Sequence, residues 1–174
     1  MTPASTLGSV SVAPVLVFGW GNRSRGDDAL GPMFVEQLRF ALAADPRVEF
    51  LEDYQLQIEH ALDLAGRRQV LFVDASLRCA APFALTPVSP AQDASFTTHA
   101  LSPQALLQVF RDVQGEAPPP CTLLAIRGER FELGEPPGPA ALENLDAALR
   151  WAKSWVAAPD LRTAHFVGNP CAAQ

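Results

Sequence analysis

The sequence predicts an α/β protein with a single domain, built as a three-layer, doubly wound, mostly parallel sheet with helices on both faces. Short apolar runs alternate along the chain with segments whose apolar residues recur at helical spacing, the pattern of strands alternating with helices. The third of these runs is fully apolar, as is typical of parallel strands covered on both sides. With 174 residues, of which 48% are hydrophobic and 18% charged, the chain can bury one sizeable core.

Five segments are predicted to be strands. Four are buried runs: Val15–Phe18, Val48–Leu51, Val70–Val73 and Thr122–Ile126. The fifth, Phe83–Val88, is predicted at the edge of the sheet, because Pro82 and Pro87 are tolerated only where a backbone N–H is not needed.

Four segments are predicted to be helices: Gly31–Ala44, Ile58–Ala65, Pro103–Gln114 and Ala140–Val156. Ser102 is expected to cap the third helix, with Pro103 at its first position and Gly115 ending it. In the other three, the residues expected to share one apolar side are Phe34, Val35, Leu38 and Leu42; Ile58, Ala61, Leu62 and Ala65; and Leu142, Leu145, Leu149 and Trp155.

The expected domain spans residues 14–157, after an N-terminal extension (1–13) and before a C-terminal tail (158–174) that lacks periodicity and is expected to be partly disordered. The extension has no basic residue and no long apolar run, so no secretory signal is expected. No apolar run approaches the roughly 18 residues of a membrane-spanning helix. We therefore expect a cytoplasmic protein without a membrane partner.

Charge and cysteine content exclude two classes of protein. Thirteen basic residues against 19 acidic ones give a net charge of −6, which argues against a general nucleic-acid binder. Cys79, Cys121 and Cys171 are widely separated and form no C-x-x-C pair. They predict neither a disulfide framework nor a cysteine-based metal site, and we expect buried, inert thiols.

The segment after the first strand opens with glycines and closes with two adjacent acids. Gly19 and Gly21 permit a sharp turn, and Asn22 can fix it through hydrogen bonds between side chain and backbone. Asp27 and Asp28 stand just before the first helix. Capping of a helix N-terminus would account for one of them but leaves the other unexplained.

Two further candidates lie where ligands bind in such sheets, outside the carboxyl ends of the strands. Asp74 directly follows Leu71–Val73 and either takes part in chemistry or caps a turn. His99 precedes the helix capped by Ser102, whereas His60 and His165 are expected to be structural. Two carboxylates and an imidazole from separate strand ends could converge on one divalent metal such as Ni, Zn or Mn.

The first loop also carries a family resemblance. It resembles the signature of the [NiFe]-hydrogenase maturation proteases and reads Phe18-Gly19-Trp20-Gly21-Asn22, four residues, then Asp27-Asp28-Ala29-Leu30-Gly31-Pro32. The resemblance continues through Leu71–Ala75 and Thr98–Ser102 and covers about Val15 to Trp155. Members of this family are endopeptidases that trim the C-terminal extension of the hydrogenase large subunit.

The resemblance implies roles for the residues that match. Asp28, Asp74 and His99 would bind nickel already inserted in the large-subunit precursor, so the substrate supplies the metal and the free enzyme needs none. Asp27 would support the ligand loop or cap a helix, and Gly19, Gly21 and Asn22 would shape that loop. The partner is the precursor, and a monomer is expected.

The chain departs from many relatives after the second strand, where a glycine-threonine loop is common. Here residues 52–59 read Glu-Asp-Tyr-Gln-Leu-Gln-Ile-Glu, and the Gln-Leu-Gln pattern resembles the branch serving cytoplasmic NAD-reducing hydrogenases.

Two alternative functions stay open on the sequence. One is a nucleotide-processing α/β enzyme that uses Gly19-x-Gly21 as a phosphate loop, although a third glycine is lacking and two acids would repel phosphate. The other is a non-catalytic, nickel-sensing assembly chaperone with the same ligands. A covalent nucleophile is not expected, because neither Ser76 nor Cys79 lies in a nucleophile-elbow motif.

Overall fold

A computed structural model describes residues 12–43, 45–92 and 101–158. Within these ranges a sheet has the strand order β2-β1-β3-β5-β4. The strands are β1 (Val15–Trp20), β2 (Val48–Asp53), β3 (Gln69–Ser76), β4 (Phe83–Val88) and β5 (Cys121–Arg127). β1, β2, β3 and β5 are parallel, and β4 pairs with β5 antiparallel at the edge, which confirms the predicted edge strand with its proline.

Helices cover both faces of the sheet, which confirms the three-layer α/β fold. In the described residues the α-helices are α1 (Leu30–Ala41), α2 (Pro103–Gln114) and α3 (Pro139–Ala157), and the 3-10 helices are Gly26–Ala29 and Ile58–Leu64. α1 packs with α3 on one face, and α2 packs with the second 3-10 helix on the other. No helix in the described ranges is long and apolar enough to cross a membrane.

The central strands are buried on both sides because alternate residues enter different cores. Val15 and Val17 of β1 pack with α1 and α3, whereas Leu16 and Phe18 pack with α2 and the second 3-10 helix. All four are at most 1% exposed. An apolar run without polar alternation is therefore what this position requires.

The predicted signals at the ends of α2 are confirmed. The Ser102 hydroxyl accepts a hydrogen bond from the Ala105 N–H at 3.1 Å, Pro103 opens the helix, and Gly115 ends it with a φ of 70°. These contacts satisfy backbone groups that the helix itself leaves unpaired.

Two predicted helix faces are wrong in detail. Ile58–Leu64 is a 3-10 helix, and its three-residue repeat buries Ala61 and Leu64 while Ile58 and Leu62 are 63% and 60% exposed. In α3, Leu142 is 39% exposed, whereas its neighbour Ala141 is buried. The first helix also differs, since a 3-10 turn precedes α1, which ends at Ala41 rather than Ala44.

Two glycines bring α1 directly against the sheet. A Cβ atom on Gly19 would lie 2.5 Å from the carbonyl oxygen of Gly31, and one on Gly31 would lie 2.9 Å from the carbonyl oxygen of Val73. Because neither residue has a side chain, the start of α1 lies over the carboxyl ends of β1 and β3. The acids that precede α1 are thereby placed at this edge.

Several sequence predictions fall outside the described residues. They concern most of the N-terminal extension, His99, His165, Cys171 and all of the C-terminal tail after Ala158. The predicted domain limits stay a prediction.

Candidate functional site

Asp74 lies at the carboxyl edge of the sheet, within β3 rather than after it. The register pairs Gly19 of β1 with Val73 of β3, so Trp20 and Asp74 are neighbours across the two strands. The Trp20 indole donates a hydrogen bond to the Asp74 carboxylate, and the Ala75 N–H donates another at 2.8 Å. The side chain is thus held by two donors at the end of an otherwise apolar strand.

Asp28 lies close enough to Asp74 to act on its charge. Burial raises the pKa of Asp74 to about 7, and the negative charge of Asp28 raises it further, while the hydrogen bonds from Ala75 and Trp20 oppose the shift. The structure therefore brings together two of the three residues predicted to meet. The third, His99, lies outside the described residues.

Asp28 is oriented by the glycine-rich loop. The Asn22 N–H donates to Asp28 Oδ2 at 2.9 Å, while Asn22 Oδ1 accepts from the Ser24 N–H at 2.9 Å. Asn22 Nδ2 also donates to the Tyr54 hydroxyl at 2.7 Å. Asn22 fixes the turn as predicted, and it connects Asp28 to the segment that follows β2.

Asp27 points away from Asp28 and Asp74, which we call the acid pair. It is buried, with 1% of its surface exposed. Its Oδ2 accepts from the N–H groups of Glu129 and Arg130 at 2.7 and 2.9 Å, and its Oδ1 accepts from the Gly138 N–H at 2.7 Å. Burial alone would raise the pKa of Asp27, but these three donors lower it below its ordinary value.

Neither acid caps the helix that follows it. Ala29 is the N-cap residue of α1, and no side chain makes a capping hydrogen bond there or at the first 3-10 helix. The prediction that Asp27 caps a helix is therefore wrong for these two helices. The alternative reading, support of the ligand loop, agrees with the observed contacts.

The contacts of Asp27 belong to a larger set between two loops, residues 22–28 and 128–138, which we call the double loop. The Gly26 N–H donates to the Glu135 carbonyl at 2.9 Å, and the Asp27 N–H donates to the Arg130 carbonyl at 2.7 Å. In the other direction, the Gly134 N–H donates to the Ser24 carbonyl at 2.7 Å. The two loops thus hold each other at the edge where Asp28 lies.

An open groove of about 310 Å³ lies beside the glycine-rich loop. Its lining residues come from this loop, from α1 and from the end of β2: Gly21, Asn22, Arg23, Pro32, Glu52, Asp53 and Tyr54. Arg23 forms ion pairs with Glu36 at 2.8 Å and Glu52 at 3.0 Å, both near the surface. Residues 52–54 therefore form one wall of a groove beside Asn22, whose backbone N–H donates to Asp28.

Within the described part of the chain, no three His, Cys, Asp or Glu side chains are grouped so as to hold a metal ion. Asp28 and Asp74 contribute two carboxylates. Carboxylate oxygens suit divalent first-row metals, and an imidazole is the ligand type that commonly completes such a set.

Comparison with solved structures gives consistent neighbours. HycI from Thermococcus kodakarensis KOD1, a [NiFe] hydrogenase maturation protease, is 21% identical over 82% of this chain and 91% of its own, with a TM-score of 0.65. HybD from Escherichia coli, a hydrogenase maturating endopeptidase, is 25% identical over the same shares, with a TM-score of 0.63. The chain has the fold of the hydrogenase maturation proteases.

The family resemblance drawn from the sequence motifs is thereby confirmed at the level of the fold. A hydrogenase 2 maturation peptidase from Thaumarchaeota archaeon SCGC_AB-539-E09 agrees, with 20% identity over 82% of this chain and 97% of its own and a TM-score of 0.58. No protein-family model matches the chain, and no curated protein matches it.

On this maturation-protease fold, His60 is a packing residue, as predicted. Its side chain is 14% exposed and stands edge-on to the Phe18 ring, with 4.7 Å between ring centroids. Its Nδ1 accepts from the Gln57 N–H at 2.9 Å and its Nε2 lies 3.2 Å from an Asp53 carboxylate oxygen. These contacts hold the segment between β2 and the second 3-10 helix.

The cysteines of the described ranges agree with the prediction of buried thiols. Cys79 and Cys121 are buried and form no disulfide within the described ranges, and burial raises the pKa of the Cys121 thiol to about 12. A thiol that stays protonated is a poor nucleophile, so Cys121 has no catalytic character.

Sequence reasoning missed two parts of the site. The sequence patterns assign no partner to Trp20 and do not connect residues 128–138 with the first loop. The one available signal for the double loop was that two adjacent acids exceed what a helix start can use.

Proposed function

We propose that this chain is an endopeptidase that removes the C-terminal extension of a [NiFe]-hydrogenase large-subunit precursor after nickel has been inserted. The observation that carries the proposal is the approach of Asp28 to Asp74 at the carboxyl edge of the sheet, on the fold of proteins that are hydrogenase maturation proteases. The precursor brings the nickel, and the enzyme contributes ligands at this edge.

The electrostatics of the acid pair support a cation as the missing partner. In the chain alone, burial and the charge of Asp28 disfavour the charged form of Asp74. A divalent ion seated between the two carboxylates would remove both penalties, because an adjacent positive charge favours the carboxylate. His99 is proposed as the third ligand, on the family resemblance alone.

Hydrolysis requires a polarised carbonyl and an activated water. Nickel held by the precursor can supply both effects, since a divalent ion polarises an adjacent carbonyl and lowers the pKa of bound water. A carboxylate beside the ion can accept the proton of that water. Asp28 suits this role better than Asp27, because both oxygens of Asp27 already accept backbone N–H groups.

A nucleotide-processing function receives no support from the glycine-rich loop. The Gly21 N–H donates to the Asp53 carbonyl at 3.2 Å, the Asn22 N–H donates to Asp28, and the Ser24 N–H donates to Asn22. A phosphate loop needs such groups pointed at the ligand. The amides of this loop hold the protein's own carboxylate instead.

A processing assay separates the endopeptidase from a non-catalytic, nickel-sensing chaperone. The purified chain is mixed with nickel-loaded precursor, and the released C-terminal peptide is identified by mass spectrometry. We expect one peptide bond to be cut, and Asp146→Ala, an exposed change on α3, to leave cutting intact. Binding of the precursor without any released peptide would favour the chaperone.

The proposal also covers the oligomeric state of the enzyme, its location and the choice of precursor. We expect a monomeric, cytoplasmic enzyme, and the Gln-Leu-Gln segment favours a precursor from a cytoplasmic NAD-reducing hydrogenase. Exchange of residues 52–59 for a glycine-threonine loop would test that preference by competition between two precursors.

A further inference from the structure

We propose that Asp27 is a positioning residue: by accepting three N–H groups from residues 128–138, it sets the direction in which Asp28 faces. The inference rests on the proposed function for its catalytic consequence, although its structural part can be tested without any activity.

The geometry of one short 3-10 helix relates the directions of the Asp27 and Asp28 side chains. Asp27 and Asp28 lie within the four residues Gly26–Ala29. With three residues per turn, successive side chains of a 3-10 helix project about 120° apart. If Asp27 is fixed toward the second loop, Asp28 must face elsewhere, and in the structure it faces Asn22 and Asp74.

Strong hydrogen bonds fix the position of the Asp27 side chain. Both oxygens of Asp27 are engaged by donors 102 to 111 residues away in the sequence, at 2.7 to 2.9 Å. Hydrogen bonds to a charged acceptor are short and about twice as strong as neutral ones. The carboxylate therefore joins the two loops by strong hydrogen bonds, in addition to the backbone hydrogen bonds between them.

The joined loops also connect the 3-10 helix of Asp28 to α3. The Gly26 and Asp27 N–H groups bond to carbonyls of the second loop, and Gly138 is also the N-cap residue of α3. Movement of the 3-10 helix would therefore have to displace α3, a nineteen-residue helix that packs on the sheet. The hydrogen bonds of Asp27 therefore connect the position of Asp28 to the packed core.

Two variants and two matched controls isolate this role. Asp27→Asn keeps the shape but places an NH₂ group against at least one N–H donor. Gly138→Pro replaces the N–H that Asp27 accepts with a ring carbon and so displaces the Asp27 carboxylate, at a position whose φ of −70° and ψ of 156° suit proline. The added Cβ atom would lie 2.9 Å from the end of the Arg130 side chain, a contact that Gly138→Ala shares. Gly138→Ala keeps the N–H donor. Asp45→Asn changes a distant aspartate that also accepts a backbone N–H, from Arg47.

The structural readout is the backbone amide of Asn22, which donates to Asp28, followed by NMR chemical shift and hydrogen exchange. The catalytic readout is the rate of single-turnover cleavage of nickel-loaded precursor per folded molecule, well below the unfolding temperature of each variant. We expect Asp27→Asn and Gly138→Pro to shift the Asn22 amide and to slow cleavage roughly 10- to 100-fold. Both controls should leave the two readouts at wild-type values.

An unmoved Asn22 amide together with a wild-type cleavage rate in the folded variants would overturn the inference, since a residue that only stabilises the fold changes the folded fraction and not the rate per folded molecule. If Asp27→Asn does not fold, Gly138→Pro decides, because it displaces the Asp27 carboxylate from one of its three donors without changing Asp27 itself. If the wild-type chain does not cut the precursor, the proposed function fails and the Asn22 amide alone decides the role of Asp27.

Discussion

Asp27 and Asp74 lie at the same edge of the sheet, where Asp27 is buried and Asp74 is partly buried, and their surroundings shift their pKa values in opposite directions. In the double loop, three N–H donors surround Asp27 and lower its pKa. In the acid pair, Asp74 has two donors, but burial and the nearby charge of Asp28 prevail and raise its pKa to about 7. The N–H groups of the chain compensate the charge of Asp27, whereas the donors to Asp74 do not offset its burial and the charge of Asp28.

The comparison shows that burial alone does not determine the direction of the pKa shift in these two acids. What distinguishes them is whether the fold supplies compensation for the charge. A perturbed pKa together with a cleft at the carboxyl edge of a parallel sheet is the combination expected of a functional site.

The largest effect should come from removing a member of the acid pair. We expect Asp28→Asn and Asp74→Asn each to reduce processing of nickel-loaded precursor by roughly 1,000-fold or more, as when one member of a catalytic unit is lost. The chain should stay folded, because neither side chain contributes to the apolar cores. Gel analysis of the precursor and circular dichroism of the variant measure the two quantities. Near-normal processing by either variant would remove that residue from the site.

The next effect should be on stability and should come from the double loop. Asp27→Ala leaves three N–H donors without their charged acceptor, so we expect the free energy of unfolding to fall by roughly 2–4 kcal/mol. Urea unfolding measures the change, with Asp45→Ala as a control that removes an aspartate with partners near the surface. A loss of less than about 0.5 kcal/mol, the range of ordinary surface changes, would show that the double loop does not depend on Asp27.

The smallest effect concerns pH and separates the two acids by sign. Asp74 binds its proton more tightly in the folded chain than in the unfolded one, so its contribution to stability decreases as the pH rises from about 4 to about 7. Asp27 has a lowered pKa, so its contribution is present above about pH 4 and is lost as the pH falls through its folded value.

Unfolding curves across this range should therefore differ between variants. Asp74→Asn should reduce the decline of stability between about pH 4 and pH 7, and Asp27→Asn should reduce the loss in more acidic solution. The same pH profile for wild type and Asp74→Asn would mean that the chain does not disfavour the charge of Asp74.

Much of the fold follows from the sequence because its signals are local. The apolar runs of β1 and β3, the prolines of the edge strand and the caps of α2 each act within a few residues, and the structure confirms them. The errors arose where the local period was ambiguous. Ile58–Ala65 fits a helical repeat of either 3.6 or three residues, and only packing against the sheet selects Ala61 and Leu64.

The site is less predictable because its contacts join distant parts of the chain. The convergence of Asp28 and Asp74 was foreseeable, since Asp28 follows β1 and Asp74 lies near the end of β3, and the carboxyl ends of these strands share one edge. The donors to Asp27 lie more than a hundred residues away in a loop without periodicity, so no sequence pattern connects them. The indole of Trp20 reaches Asp74 only because of the register between β1 and β3.

The central claim is that the acid pair responds to nickel carried by the precursor, and the most direct measurement compares nickel-loaded with nickel-free precursor. The chain is first treated with a chelator, which is then removed, and loss of the C-terminal peptide is followed on a gel. We predict that the loaded precursor is cut and the nickel-free precursor is not, because only the loaded one brings a cation that would favour the charged form of Asp74 beside Asp28. Efficient cutting of nickel-free precursor, or activity that returns only when metal is added to the chain itself, would contradict the account.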